Sequence, residues 1–129
     1  MYNKSGAYDR AQMGKITTHV LDVAAGLPAT GMLVELHSLD AGPPRSLAKV
    51  RTNDDGRCGG PLLEGGALRT GRYSLTFHVA EYFRARDVPL PEPPFLDQVV
   101  VNFGIPDAAQ SYHIPLLVSP WSYSTYRGS

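Results

Sequence analysis

Three side chains in this 129-residue chain have the types and neighbours for acid–base or anion chemistry: His19, Arg57 and His113. An imidazole changes charge near neutral pH, so the two histidines are candidate proton carriers. Arg57 closes the turn-like run Asn53-Asp54-Asp55-Gly56-Arg57-Cys58. Held at such a turn, its guanidinium offers a planar fork of N–H donors to a carbonyl, urea or enolate group. The sequence closes on Tyr126-Arg127-Gly128-Ser129, after the strand-like run Tyr112-His113-Ile114-Pro115-Leu116-Leu117. A tail this rich in specific polar groups, attached to a core strand, is expected to fold into a site rather than fray.

Each candidate has a plainer reading. Taken alone, His19 reads as a half-buried strand histidine bonded to a neighbouring hydroxyl, and His113 reads the same way. Arg57 alone reads as a surface arginine paired with Asp54 or Asp55, a contact worth little. A zinc-type site wants three ligands with tetrahedral geometry. His37 and His78 are available, but no His-x-His or His-x-x-x-His spacing occurs, so no metal is expected. Cys58 has no cue for thiolate activation beyond the adjacent Arg57 and is read as structural. Ser111, Ser119 and Ser122 lie in no Gly-x-Ser-x-Gly elbow, and the glycines of residues 59–71 match no phosphate or dinucleotide loop. Trp121, Tyr123 and Tyr126 suit an apolar wall, a subunit interface or simple core packing.

The elements that must position these groups are mostly strands. Alternation predicts strands over residues 16–23, 31–39, 47–52, 72–79, 98–103 and 111–118. In the first, His19 shares a face with Thr17, Leu21 and Val23; in the last, His113 shares one with Pro115 and Leu117. Turns are expected at residues 26–28, 53–56 and 104–107. Residues 80–86 suit one short helix before the proline-rich connection 89–94. Pro115 within the last strand predicts an edge position or a bulge. Many short strands with regularly spaced turns argue for an all-β sandwich or barrel. Residues 1–13 read as a loose polar leader and 14–129 as one domain.

Composition narrows the function further. Lys plus Arg and Asp plus Glu both number 12, with no block of like charge, so no nucleic-acid or anionic-membrane footprint is present. One cysteine excludes an intrachain disulfide scaffold. No stretch reads as a membrane span or as an apolar secretory signal, and a cytoplasmic setting is expected.

Taken together, Ile16-Thr17-Thr18-His19-Val20-Leu21-Asp22, Thr52-Asn53-Asp54-Asp55-Gly56-Arg57-Cys58 and the stretch from Tyr112 to Ser129 resemble the three signature regions of the transthyretin-like 5-hydroxyisourate hydrolases. The resemblance runs from about Gly14 to the last residue. It implies a transthyretin (prealbumin-like) β-sandwich of two antiparallel sheets with one short helix. It also implies a homotetramer whose active sites lie at the subunit interface, and it calls for no metal or organic cofactor. The implied reaction opens the six-membered ring of 5-hydroxyisourate to give 2-oxo-4-hydroxy-4-carboxy-5-ureidoimidazoline, in urate degradation. The family's catalytic residues fall on His19, Arg57 and His113, and its substrate-binding tail positions on Tyr126 and Ser129. The same fold also hosts a non-enzymatic alternative, a transthyretin-type carrier of small ligands. A carrier has no need of this polar set.

Overall fold

The computed structural model describes residues 14–129, so the expected leader over residues 1–13 lies outside the described residues. Along Lys15–Asp22 every second residue is buried, and this period of two makes β1 a strand with one face on the core. Ile16, Thr18, Val20 and Asp22 point inward, while Thr17, His19 and Leu21 lie on the outer face. The remaining strands are β2 (Leu27–Pro28), β3 (Leu33–Ser38), β4 (Arg45–Arg51), β5 (Leu63–Glu64), β6 (Gly71–Phe77), β7 (Val99–Ile105), β8 (Tyr112–Val118) and β9 (Tyr123–Thr125). The single described α-helix, α1 (Val79–Ala85), follows β6 and buries Val79, Ala80, Tyr82 and Phe83.

Two sheets form. One runs β2-β1-β8-β9, with β5 also pairing β1; the other runs β4-β3-β6-β7. Their inner faces meet through fully buried side chains, among them Ile16, Val20 and Leu116 from the first sheet and Leu36, Leu75, Phe77 and Ile105 from the second. This is the expected β-sandwich, built by interdigitation of alternate residues. α1 closes one end. There the Tyr82 hydroxyl donates to the buried Asp22 carboxylate at 2.8 Å, and the Ala25 N–H donates to its other oxygen at 2.9 Å.

Several details differ from the expectation. β1 and β8 are parallel, with Thr17 opposite His113 and His19 opposite Pro115, so the first sheet is mixed. Pro115 lies neither on an outermost strand nor at a break in that register. The ladder tolerates it because β9 pairs only Leu116 to Val118, leaving the Pro115 nitrogen with no ladder bond to make. The Pro115 carbonyl accepts from the Thr125 hydroxyl at 2.7 Å instead. Leu27 and Pro28 pair with β1 rather than forming only a turn, and Gly104 and Ile105 still belong to β7. The tail is itself a strand. A tight turn, in which the Ser119 N–H donates to the Ser122 carbonyl at 2.9 Å, folds β9 back onto β8.

Candidate active site

The expected site lies on the outer face of the first sheet, away from the sandwich interior. The period of two in β1 and β8 puts Thr17, His19 and His113 on that face. A cleft of about 410 Å³ opens there, lined by Lys15, Thr17, Arg57, Ser111, His113 and Ser129. His19 lies two residues beyond Thr17 on the same face. An along-strand step of about 6.6 Å and a strand spacing of ~4.8 Å put the Cα atoms of His19 and His113 ~8 Å apart.

Arg57 reaches the cleft because the Asn53–Arg57 turn is tied to β1 on the side opposite β8. The Val20 N–H donates to the Gly56 carbonyl at 2.8 Å. Within the turn, the Asn53 side-chain oxygen accepts from the Asp55 N–H at 2.9 Å and the Arg57 N–H at 3.1 Å. Gly56 is buried at φ 74°, and a Cβ there would collide with the Val20 carbonyl oxygen. Glycine is required at this position both by the backbone angle and by the close approach. Among the described residues no ion pair ties Arg57 to Asp54 or Asp55, and Arg57 lines the cleft instead.

The tail crosses from the far side of β8. The Gly128 N–H donates to the His113 carbonyl at 2.7 Å, and this bridge carries Ser129 into the cleft. The Gly128 backbone lies directly against the His113 ring. Arg127 anchors the tail from the other side. Its guanidinium lies 4.7 Å from the Tyr112 ring centroid and donates to the Gln110 side-chain oxygen at 3.0 Å. Tyr126 is not brought into the cleft. It is 59% exposed and lines a separate, largely apolar cavity of about 450 Å³ together with Val101, Phe103 and Tyr112.

The electrostatics of His113 suit a neutral imidazole. Burial, then the nearby Arg57 and His19 charges, push its pKa below 6.5. Thr17 Oγ1 lies 2.8 Å from His113 Nδ1. If Nδ1–H donates to the hydroxyl, Nε2 is an open base, and the imidazolium formed when it takes a proton is the acid that gives that proton back. The same Nδ1–H donation to Thr17 holds the ring in both charge states. Thr17 and Lys15 were not singled out from the sequence, although their spacing of two and four from His19 in a strand put them on its face. Ser111 was noted only as one of several hydroxyls. His78 belongs elsewhere, bonded through Nε2 to Glu35 Oε2 at 2.6 Å on the second sheet. Among the described residues, no three His, Cys, Asp or Glu side chains converge as metal ligands. Burial raises the Cys58 thiol pKa, as expected for a structural cysteine.

The model of the HIUase/transthyretin family matches residues 16–128, and the chain belongs to that family. It is 56% identical to a 5-hydroxyisourate hydrolase of Ralstonia nicotianae over 117 residues, covering 91% of this chain and 100% of the relative. Among solved structures it resembles a Klebsiella pneumoniae 5-hydroxyisourate hydrolase, with TM-score 0.76 and 32% identity, over 91% of this chain and 100% of that one. It also resembles an (S)-allantoin synthase, with TM-score 0.88 and 44% identity. That match covers 97% of this chain and 47% of the synthase, so the chain spans about half the synthase's length.

Proposed function

We propose that this chain is an enzyme that hydrolyses 5-hydroxyisourate to 2-oxo-4-hydroxy-4-carboxy-5-ureidoimidazoline. The observation that carries the assignment to a site is the convergence of Thr17, Arg57, His113 and Ser129 on one cleft beside His19. High identity to named hydrolases over nearly the whole chain favours this reading over the ligand carrier.

Cyclic amide hydrolysis needs an activated water, an oxyanion stabiliser and a proton for the leaving nitrogen. His113, kept neutral by burial and neighbouring charge, takes a proton from water as the oxygen bonds to the ring carbonyl carbon. Arg57 donates to the oxyanion that forms. The C–N bond then breaks, and the nitrogen takes a proton from the histidine pair. One water is consumed, and the new carboxylic acid ionises near neutral pH. Thr17 fixes the His113 ring, and Ser129 orients the substrate.

Tyr126, which lies outside this cleft in the single subunit, joins the binding set in this reading only across a subunit interface. We place it in a homotetramer with the active sites at the subunit interface. Lys15, Arg57 and Ser129 line the cleft yet are exposed in the single subunit. Large apolar side chains are exposed as well, including Trp121 at 58% and Tyr123 at 46%. Both facts support burial against further copies. A cytoplasmic setting belongs to the same proposal; the free Cys58 is compatible with a reducing compartment. No described helix is long and apolar enough to cross a membrane.

The test is the absorbance decay of freshly generated 5-hydroxyisourate against a no-enzyme control, using the intact chain, His19→Ala and His113→Asn. Acceleration by the intact chain that both variants lose supports the reading. A folded chain that gives no acceleration would point to the carrier alternative.

A further inference from the structure

Lys15 lines the cleft but has no part in the steps above. It opens β1 on the face of Thr17 and His19, and it is exposed. One step beyond the Ile16–Tyr112 pair, the parallel register sets Lys15 beside Ser111. The Gly128–His113 bridge brings Ser129 to the same cleft. Lys15, Ser111 and Ser129 therefore gather at one end, and His19 lies at the other.

Among the side chains that line this cleft, two are cationic, Lys15 and Arg57, and none is acidic. Glu64 of β5 is in register with Lys15, yet none of the described ion pairs involves Lys15. Arg57 is already engaged by the oxyanion that forms as water adds to the ring carbonyl carbon. The second cation is unassigned, and the chemistry creates a second need for one. Ring opening turns a neutral acyl carbon into a carboxylate, so the product carries an anionic group that the ring did not. An ammonium with three rotatable donors suits a carboxylate that swings free as the ring opens.

We propose that Lys15, with Ser111 and Ser129, forms a carboxylate subsite that holds the acid group released by ring opening. This subsite rests on the hydrolase reading and extends it to a residue which that mechanism leaves idle. It makes Lys15 a determinant of specificity for ureido-carboxylates over their neutral counterparts.

The probes are N-carbamoylglycine, a stable ureido-carboxylate, and its neutral amide, each used as an inhibitor of 5-hydroxyisourate hydrolysis. The wild-type chain is expected to bind the carboxylate more tightly than the amide. Lys15→Gln should reduce that preference about tenfold, which corresponds to ~1.4 kcal/mol. The loss should fall on the carboxylate alone, and unchanged amide binding shows that the variant is folded. Lys15→Arg should keep most of the preference. The same preference in Lys15→Gln as in wild type, or none in wild type, overturns the proposal. Direct NMR titration with the same two probes needs no turnover. A chain that fails to accelerate 5-hydroxyisourate decay counts against the hydrolase reading, and the titration still decides the subsite.

Discussion

Gly128 is where the tail and the proposed catalytic histidine press on each other most directly. A Cβ at this position would lie 2.7 Å from His113 Cδ2, 3.2 Å from its Cβ and 3.3 Å from its Cγ. Carbon atoms rest at ~3.5–4.0 Å, so in Gly128→Ala the ring or the tail must yield by close to 1 Å. If the ring turns, it loses its 2.8 Å bond to Thr17; if the tail lifts, the 2.7 Å Gly128–His113 bridge breaks. Either bond is worth about 1 kcal/mol net. The melting temperature should therefore fall by only ~4 °C. The rate should suffer far more, since a displacement of ~1 Å at a reacting group can cost about 10²-fold. The assay compares kcat/KM for 5-hydroxyisourate decay with thermal unfolding of the same samples. Gly66→Ala is the control, because Gly66 is exposed and a Cβ there meets nothing within 4 Å. A Gly128→Ala chain with wild-type kcat/KM would refute the argument that the tail sets the His113 ring.

Four further outcomes follow from the same geometry. Arg57→Gln should lower kcat by about 10²–10³-fold, as loss of an oxyanion donor does. It also removes a charge that holds the His113 pKa down, so the acid limb of the pH–kcat/KM profile should move to higher pH. The His113 pKa also links to stability. Its folded value lies below the unfolded 6.5, so between the two the unfolded chain binds the extra proton. That contribution is complete above the unfolded value and is lost as pH falls from there through the folded value. Denaturant titrations should accordingly show His113→Gln losing less stability on acidification than the native chain. Tyr82→Phe should cost ~1–3 kcal/mol in chemical denaturation, because it strips a donor from the buried Asp22 carboxylate. Burial, reinforced by Asp22, pushes the Tyr82 phenol up to about 12, so it should be among the last tyrosines to ionise in an ultraviolet titration. Gly56→Ala should cost at least ~1–3 kcal/mol for the left-handed backbone alone, and activity should fall with it as Arg57 is displaced.

The sequence carries the fold through its periods. Alternation in residues 16–23 and 111–118 marks two strands and puts His19 and His113 on defined faces, because side-chain direction in a strand is local geometry. The Asn53–Gly56 turn is equally legible, since Asn53 makes its own turn bonds and Gly56 supplies the positive φ. Short pairings with no period of their own were not legible: Leu27–Pro28, Leu63–Glu64 and Tyr123–Thr125 become strands only because β1 and β8 offer them partners. Pro115 misleads for the same reason, because its tolerance depends on which residues of β8 the tail happens to pair.

His19, Arg57, His113 and the tail positions Tyr126 and Ser129 stood out by type and by resemblance, because each is a distinctive group in a distinctive run. Their proximity was not in the sequence. It required β1 and β8 to run side by side in parallel, a turn docked on the opposite side of β1, and a tail folded back over β8. Those long-range pairings bring Lys15 and Thr17 into the cleft and place Tyr126 on the cavity beside it. Chemical type is a property of each residue. How far His113 is buried and which charges share its cleft, and therefore why its pKa is lowered, are decided by contacts between segments nearly a hundred residues apart, such as the 96-residue separation of Thr17 and His113.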